Sequence, residues 1–423
     1  MNRYGNLKVR LTEEAIVLFQ KNSRTGYSKW KNTEYKFIAP ASEEYTFQWL
    51  WDTAFHAIVL ANINPQWAQQ EIRNFLLGQH EDGFLPHIIF WGNKLILPHW
   101  AYIESALSLR PRTSSITQPP AFAIAVEAIT DNSKDLSFLK EVLPKLAKHH
   151  RWLMQNRDID HDSLIAIISP NESGMDELPV FQCVHNFEHT DTARLHYYYR
   201  KADILNLFYN YNSRLILEKD YFNVEEILFN CMFIESSRAL SRLFILIDDE
   251  TESNFFKTVA NDTEKQLLDK MWAEEDGIFY SLYSKQERQA KVKTVASLIP
   301  FFLDGLKGEQ LHRLVNEHLL NSNEFWTNYP VPSVAKDEKY YVPNDTPFYK
   351  IKLLWRGPTW INTNWLIVKG LQKHGLHDIA DSIIGKMCEM IEREGFREYY
   401  NPETGKGYRR KNFGWSTLLL DLI

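Results

Sequence analysis

The stretch GFREYYNPETGK (395–406) follows a predicted helix, 376–393, and opens with a glycine and an aromatic residue. Three other stretches resemble it loosely, namely EDGFLPH (81–87), SGMDELP (173–179) and EDGIFYS (275–281). Most of the four come after a helical pattern. A rhythm of helix, short loop and helix is typical of an α/α toroid, in which paired helices form two concentric rings. The sequence therefore predicts an all-α fold of this kind.

The helices are predicted from apolar residues that recur at helical spacing. They cover residues 11–21, 49–63, 66–79, 118–128, 137–155, 224–246, 252–271, 309–320, 359–373 and 376–393. No stretch dominated by Gly, Ser or Pro separates them, so we expect one domain over residues 1–423. The irregular stretch 321–352 has four prolines and many aromatics. A loop this long within a compact domain is usually a lid or a binding loop.

Composition excludes several classes of protein. Hydrophobic residues make up 44% of the chain, and no apolar run approaches the ~18 residues of a membrane span. The N-terminal MNRYGNLKVRLTEE lacks the apolar stretch of a secretory signal. Three widely separated cysteines argue against a disulfide framework and for a reducing compartment. A net charge of −6 disfavours nucleic acid and anionic membranes as partners. We therefore expect a cytoplasmic protein.

Two segments hold a carboxylate in a rigid frame. In 395–406, Glu398 lies between aromatic residues, just before a turn built from Asn401, Pro402, Thr404 and Gly405. A carboxylate held on an aromatic rim can act as a general base, or it can brace the turn.

The second segment is SPNESGMDELP (169–179), where Gly174 allows a tight turn and Pro179 ends it. Asp176 lies there with Glu172 and Glu177, and the three acids repel one another. Burial of one of them would raise its pKa, so that it stays protonated near neutral pH and can donate a proton. A solvated acidic loop is the simpler interpretation of this segment alone, whereas together the two segments outline a two-carboxylate hydrolase.

The motifs and their order resemble glycoside hydrolase family 63, in particular its short members of the mannosylglycerate and glucosylglycerate hydrolase type. The resemblance covers nearly the whole chain. It is carried by FQWLWDTAFHA (47–57), GQHEDGFLPH (78–87), TQPP (117–120), SGMDELP, FWTNYPVPSVAKD (325–337), LLWRGPTWINTNW (353–365) and GFREYYNPETG (395–405). It implies an (α/α)6 barrel, a small carbohydrate substrate, and inverting hydrolysis of an α-glycosidic bond without a cofactor or a metal.

The resemblance also implies roles for individual residues. Asp176 would be the general acid and Glu398 the general base, with their carboxyl groups about 6.5–9.5 Å apart, as an inverting enzyme needs. Asp52 would bind sugar hydroxyls, four tryptophans would wall the pocket, and Arg356 would be structural. The implied substrate-binding residues are Tyr45, Trp49, Trp51, Asp52, Gln118, Gly174, Arg200, Trp355 and Trp360.

Two positions depart from the family pattern. Close relatives usually have Trp where this chain has Asn171. Arg200 occupies the position from which glycerate-active relatives bind the substrate carboxylate, and Asp203 fits the pattern, but the residues after it diverge. A guanidinium at this position could bind glycerate through two hydrogen bonds, or it could be an ordinary arginine of a helix surface. A neutral α-glucoside and a trehalose-like disaccharide therefore remain alternative substrates, and monomer, dimer and tetramer are all compatible with the sequence.

Three further classes compete. His185, Glu188 and His189 match the H-x-x-E-H motif of zinc peptidases, but no clear amphipathic helix surrounds them. Toroidal sugar epimerases use paired histidines, and here four histidines lie near the aromatic loops without a matching frame: His56, His80, His87 and His99. A toroid that only binds carbohydrate would not need both candidate carboxylates.

Overall fold

The computed structural model describes residues 4–43, 45–92, 112–187, 192–345 and 354–423, and these are mainly helical. The α-helices are α1 Gly5–Asn22, α2 Leu50–Ile63, α3 Pro65–Leu76, α4 Phe122–Ser133, α5 Leu136–Arg157, α6 Val180–Val184, α7 Thr192–Phe208, α8 Ser213–Lys219, α9 Ile227–Ile245, α10 Glu250–Lys270, α11 Gly308–Arg313, α12 Ile361–Lys373 and α13 His377–Glu394. Turns of 3₁₀-helix cover Pro170–Ser173, Val295–Phe302 and Gly414–Asp421, and a π-helix covers Leu314–Leu319.

Short strands connect the helices. They are β1 Ser23–Ser28, β2 Thr33–Ile38, β3 Gln48–Trp49, β4 Ile88–Ile89, β5 Ala166–Ile167, β6 Val224–Glu225, β7 Trp272–Ala273, β8 Ile278–Phe279, β9 Leu282–Tyr283, β10 Arg288–Gln289, β11 Arg397–Tyr400 and β12 Gly407–Lys411. The largest described sheet has four strands in the order β10-β9-β6-β5, and the others are two-stranded.

Each predicted helix overlaps an observed one, and the differences have local causes. The helix expected over 118–128 begins at Phe122, because Pro119 and Pro120 disfavour helical backbone in the residues before them. The helix expected over 224–246 begins at Ile227, since Val224 and Glu225 pair with neighbouring strands. Helix α7 was missed, because its run of tyrosines shows no apolar face at helical spacing.

The chain divides into two compact units. The first comprises Met1–Asn156, Met232–Asn261 and Lys411–Ile423, and the second comprises Arg157–Cys231 and Asp262–Arg410. In the first unit, α2 is buried over nearly its whole length and packs on α3, on α4 and on the 3₁₀ turn near the C-terminus. In the second, α12 packs against the 3₁₀ turn Val295–Phe302 and against α13. The prediction of one domain over residues 1–423 stays a prediction.

Within the described ranges, none of the helices combines the length and the apolar character that a membrane crossing requires.

Candidate active site

The turn that carries Asp176 is built by its own sequence. Ser169 caps the 3₁₀-helix Pro170–Ser173, and its Oγ accepts the N–H of Asn171 at 3.4 Å. Gly174 ends this helix with φ +72°, a conformation that a residue without a Cβ adopts at little cost. The Oγ of Ser173 then accepts the N–H of Met175 at 2.9 Å. These bonds fix the backbone that leads into Asp176.

The three acids of this segment have different partners. Glu172 is fully buried and receives two hydrogen bonds from Arg157, at 2.6 and 2.7 Å. It also accepts the N–H of Ile168 at 2.8 Å. Glu172 is therefore a structural anchor beneath the turn, because a bidentate guanidinium bond fixes both of its oxygens.

Glu177 is also buried, and it accepts the backbone N–H of Leu354. Burial and the neighbouring charge of Asp176 raise the pKa of Glu177 to about 8. Arg356, expected to be structural, lies near this carboxyl and donates a hydrogen bond to the amide oxygen of Gln182. Together these contacts tie the segment that carries Asp176 to residues 354–356.

Asp176 is half-buried, and the packed protein around its carboxyl raises its pKa to about 6. Two neighbours oppose this rise by stabilising the ionised form, namely the positive charge of Arg409 and a hydrogen bond from the Trp355 side chain. The sequence suggested mutual repulsion among acids as well as burial, and burial is the main cause here. A carboxyl group with a pKa near 6 remains partly protonated close to neutral pH.

Glu398 lies on β11 and is 1% exposed. The Nη1 of Arg409 donates a hydrogen bond to Glu398 Oε1 at 3.1 Å. The turn after β11 is fixed by Asn401, whose Oδ1 accepts the N–H groups of Glu403 at 2.9 Å and Thr404 at 2.8 Å. The carboxylate is thus held on a rigid hairpin, as the turn residues predicted.

Arg409 bonds one candidate carboxylate and lies near the other, and this arginine was not predicted from the sequence. Its guanidinium bonds Glu398 and lies within electrostatic range of Asp176. A signal was present, because the turn after Glu398 predicts a hairpin. The Asn401 N–H bonds the Lys406 carbonyl, and continued pairing from this bond brings Arg409 opposite Glu398.

Aromatic rings connect the same two segments. Trp355 and Trp360 stack with their centroids 3.7 Å apart and their planes at 9°. Trp360 in turn contacts Tyr399, the neighbour of Glu398, at 4.6 Å. The Tyr399 hydroxyl donates to Asp345 at 2.9 Å, so the predicted binding loop packs against this segment; its residues 346–352 lie outside the described ranges.

Arg200 lies on α7 close to Asp203, a buried residue. Burial raises the pKa of Asp203 to about 7, while the positive charge of Arg200 opposes the rise. Ser169, at the start of the turn that carries Asp176, donates to Asp203 Oδ1 at 3.2 Å. Arg200 is therefore associated with the same turn through Asp203.

The remaining predicted binding residues gather in the first unit, around the start of α2. The side-chain oxygen of Gln118 accepts the N–H of Trp51 at 3.2 Å, so this predicted sugar contact also caps the helix. Trp51 and Asp52 are 2% and 3% exposed. Trp49 and Tyr45 are half-buried and contact each other edge to face at 5.8 Å. Their role in binding a substrate stays a prediction.

The histidines considered for a zinc peptidase or a sugar epimerase lie in different environments. Burial lowers the pKa of His56 and of His87 to about 3 each. His80 bonds the Thr113 hydroxyl at 2.8 Å, and His185 stacks on Tyr198 at 5.2 Å. His99, Glu188 and His189 lie outside the described residues.

Comparison with known proteins gives matches over nearly the whole chain. Residues 45–416 match the family described as the mannosylglycerate hydrolase MGH1-like glycoside hydrolase domain. A mannosylglycerate hydrolase of Thermus thermophilus is 30% identical over 434 residues, covering 96% of this chain and 98% of the relative. A crystal structure of a family 63 mannosylglycerate hydrolase from the same species, in complex with Tris and D-glycerate, superposes with a TM-score of 0.84. The two sequences are 29% identical, and the superposition covers 98% of this chain and 100% of the chain in the crystal structure.

A more distant structure, the neutral trehalase of Saccharomyces cerevisiae, shares the fold with a TM-score of 0.60 at 14% identity, covering 96% of this chain and 79% of the trehalase. The predicted all-α (α/α)6 barrel is thereby confirmed, and the protein is a glycoside hydrolase. The chain belongs to the MGH1-like group of glycoside hydrolase family 63, as the motifs predicted.

Proposed function

We propose that this chain is an inverting hydrolase of a small α-glycoside of glycerate, with Asp176 as general acid and Glu398 as general base. The observation that carries the proposal is the shared guanidinium of Arg409, which bonds Glu398 and acts electrostatically on Asp176. The bond from Arg409 fixes the position of the Glu398 carboxylate, and a general base must be held within hydrogen-bond reach of the proton that it removes. Asp176, with a pKa near 6, retains the proton that an acid needs.

The proposed chemistry uses Asp176 in its protonated form and Glu398 in its ionised form. Asp176 donates its proton to the glycosidic oxygen while the bond from that oxygen to the anomeric carbon breaks. Ionised Glu398 takes a proton from a water molecule, whose oxygen attacks the anomeric carbon from the opposite face. The sugar leaves as the β-anomer and the leaving group as an alcohol, so atoms and charges balance.

The choice of a glycerate glycoside is supported by two observations. The Thermus thermophilus relative is a mannosylglycerate hydrolase, and the crystal structure from that species contains D-glycerate. Arg200 is associated through Asp203 with the turn that carries Asp176, and a guanidinium can bind a carboxylate through two parallel hydrogen bonds. Mannose and glucose differ in the orientation of one hydroxyl, so both glycosides are candidate substrates.

The test is a proton NMR time course of the purified protein, in separate tubes, with α-mannosylglycerate, α-glucosylglycerate, trehalose and an α-linked glucobiose. We expect cleavage of a glycerate glycoside, with the β-anomeric signal of the free sugar appearing first. The α-anomer appearing first would exclude the inverting mechanism. Cleavage of the neutral disaccharides alone would retain Asp176 and Glu398 but exclude glycerate recognition by Arg200.

A further inference from the structure

The hairpin of β11 and β12 has two faces, because the side chains of a strand alternate between them. Glu398 and Arg409, which bond each other, lie on one face. Tyr399 and Tyr408 lie on the opposite face, where their ring centroids are 6.0 Å apart. The two strands form a sheet of their own, and an isolated two-stranded hairpin is only marginally stable. Contacts with other segments must therefore fix the position of Glu398.

Three consecutive residues, Pro343, Asn344 and Asp345, bind the face opposite Glu398. The hydroxyl of Tyr399 donates to Asp345 Oδ1 at 2.9 Å. The side-chain Nδ2 of Asn401 donates to the Pro343 carbonyl at 3.0 Å and to Asn344 Oδ1 at 3.1 Å. The described end of the predicted binding loop is thus bonded to the strand that carries the candidate base and to the turn that follows it.

Asn401 uses both ends of its side-chain amide, and it is 2% exposed. Its Oδ1 holds the turn by accepting the N–H groups of Glu403 and Thr404. Its Nδ2 faces residues 343–344 and also lies 3.1 Å from the hydroxyl of Tyr408, the residue before Arg409. One side chain therefore joins the turn, the strand of Arg409 and the segment 343–344.

We propose that Asn401 is a positioning residue for Glu398, and that it acts through the hydrogen bonds from its Nδ2 to Pro343 and Asn344. This inference rests on the proposed function, because it takes Glu398 as the general base. A base must lie within hydrogen-bond reach of the water that it activates, and a misplacement of about 1 Å can cost about 100-fold in rate. Asn401 follows Glu398 by three residues, so a shift of its side chain is transmitted directly to β11.

The first test is Asn401→Ser. A serine hydroxyl can still accept an N–H of the turn, although more weakly, but it is too short to reach Pro343 and Asn344. We expect kcat to fall about 10-fold to 100-fold, with KM within about threefold, because the lost alignment matters in the transition state and not in substrate binding. The rate of sugar release from the glycerate glycoside gives both constants, and a urea titration measures the stability of the variant.

Asn132→Ser is the matched control. Asn132 is exposed on α4, and its Nδ2 donates to the Ala128 carbonyl at 2.9 Å. The control removes the same kind of bond from an amide to a carbonyl, and we expect kcat and KM to stay within about threefold.

Asn344→Ala tests the other end of the contact, and it also serves if Asn401→Ser fails to fold. Asn344 is exposed, so the variant should fold. Loss of one acceptor should lower kcat about 2-fold to 10-fold at an unchanged KM. The doubly substituted chain should lose less than the product of the two single losses, because both substitutions remove the same contact. An unchanged kcat in Asn344→Ala, or a double loss equal to that product, would contradict the proposal.

Two further outcomes would overturn the inference. If Asn401→Ser is less stable but keeps its full kcat, Asn401 only braces the turn. If KM rises while kcat is unchanged, Asn401 contributes to substrate binding instead of alignment. Glu398→Gln separates this inference from the proposed function. If that variant stays active, the assignment of the base fails and this inference fails with it. If it is inactive while Asn401→Ser is fully active, only this inference fails.

Discussion

Two acidic stretches of the second unit, 158–162 and 172–177, contain three carboxylates each and lie only ten residues apart. In the later stretch each acid has its own partner: a guanidinium for one, a backbone N–H for another, and an indole with a shared arginine for the third. In the earlier stretch the carboxylates are close together, and one lysine pairs with one of them. The number of acids is the same, so the partners determine what each group can do. Separate partners allow one acid to be an anchor while another takes the proton-donor role proposed for Asp176.

The largest expected effect is a loss of catalytic rate, and its absence would contradict the roles assigned to the carboxylates. Asp176→Asn and Glu398→Gln should each lower kcat by about 100-fold to 10,000-fold, because each removes a proton-transfer group. The measurement is the rate of sugar release from the substrate identified by NMR. The matched control is Glu403→Gln, in the turn after Glu398, which should stay within threefold. A variant of either carboxylate that keeps more than a tenth of the activity would refute its assignment.

The anchor should matter for folding rather than for chemistry. Arg157→Met leaves Glu172 buried without its counter-ion, and we expect a loss of about 3–5 kcal/mol in the free energy of unfolding. Denaturation in urea, followed by fluorescence, measures this loss. The control is Arg242→Met, which removes an exposed ion pair with Glu127 and should cost less than about 1 kcal/mol. Equal losses in the two variants would show that the Arg157 pair is not a special anchor.

Much of the fold could be predicted from local sequence, since an apolar face that recurs at helical spacing is visible within a single stretch of the chain. The predicted helices 376–393 and 359–373 match α13 and α12 closely. The sheet β10-β9-β6-β5 was not predicted, because strands of two residues carry no periodic signal and depend on partners distant in the sequence.

The candidate site also combines features that are visible in local sequence with features that depend on distant residues. Turn residues and isolated acids were visible in the sequence, so Asp176 and Glu398 could be singled out. Their electrostatic partners were less visible, because Arg157 and Arg409 lie within an ordinary helix end and an ordinary strand. Tertiary contacts decide which of three neighbouring acids pairs with a cation. The residue types alone do not distinguish the three.

A smaller effect tests recognition of the leaving group. Arg200→Met should raise KM for the glycerate glycoside by about 10–100-fold, as expected for the loss of a charged hydrogen bond. KM for any neutral α-glucoside that is also cleaved should not change. Lys201→Met removes an exposed positive charge from the next position of α7 and is the control. An equal change in KM for both kinds of substrate would mean that Arg200 only supports the turn through Asp203.

The smallest expected effect is a shift in pH dependence, and it tests the shared arginine. Asp176 must be protonated to act as an acid, so the alkaline limb of kcat/KM should begin near its pKa of about 6 and fall tenfold per pH unit above it. Arg409 lowers this pKa, so its loss in Arg409→Met should move the alkaline limb to higher pH. Arg410→Met, which changes the next residue of β12, should leave the limb in place. A profile of Arg409→Met that is lower at every pH but unshifted would show that Arg409 only braces the hairpin, and that the pKa of the acid depends on burial alone.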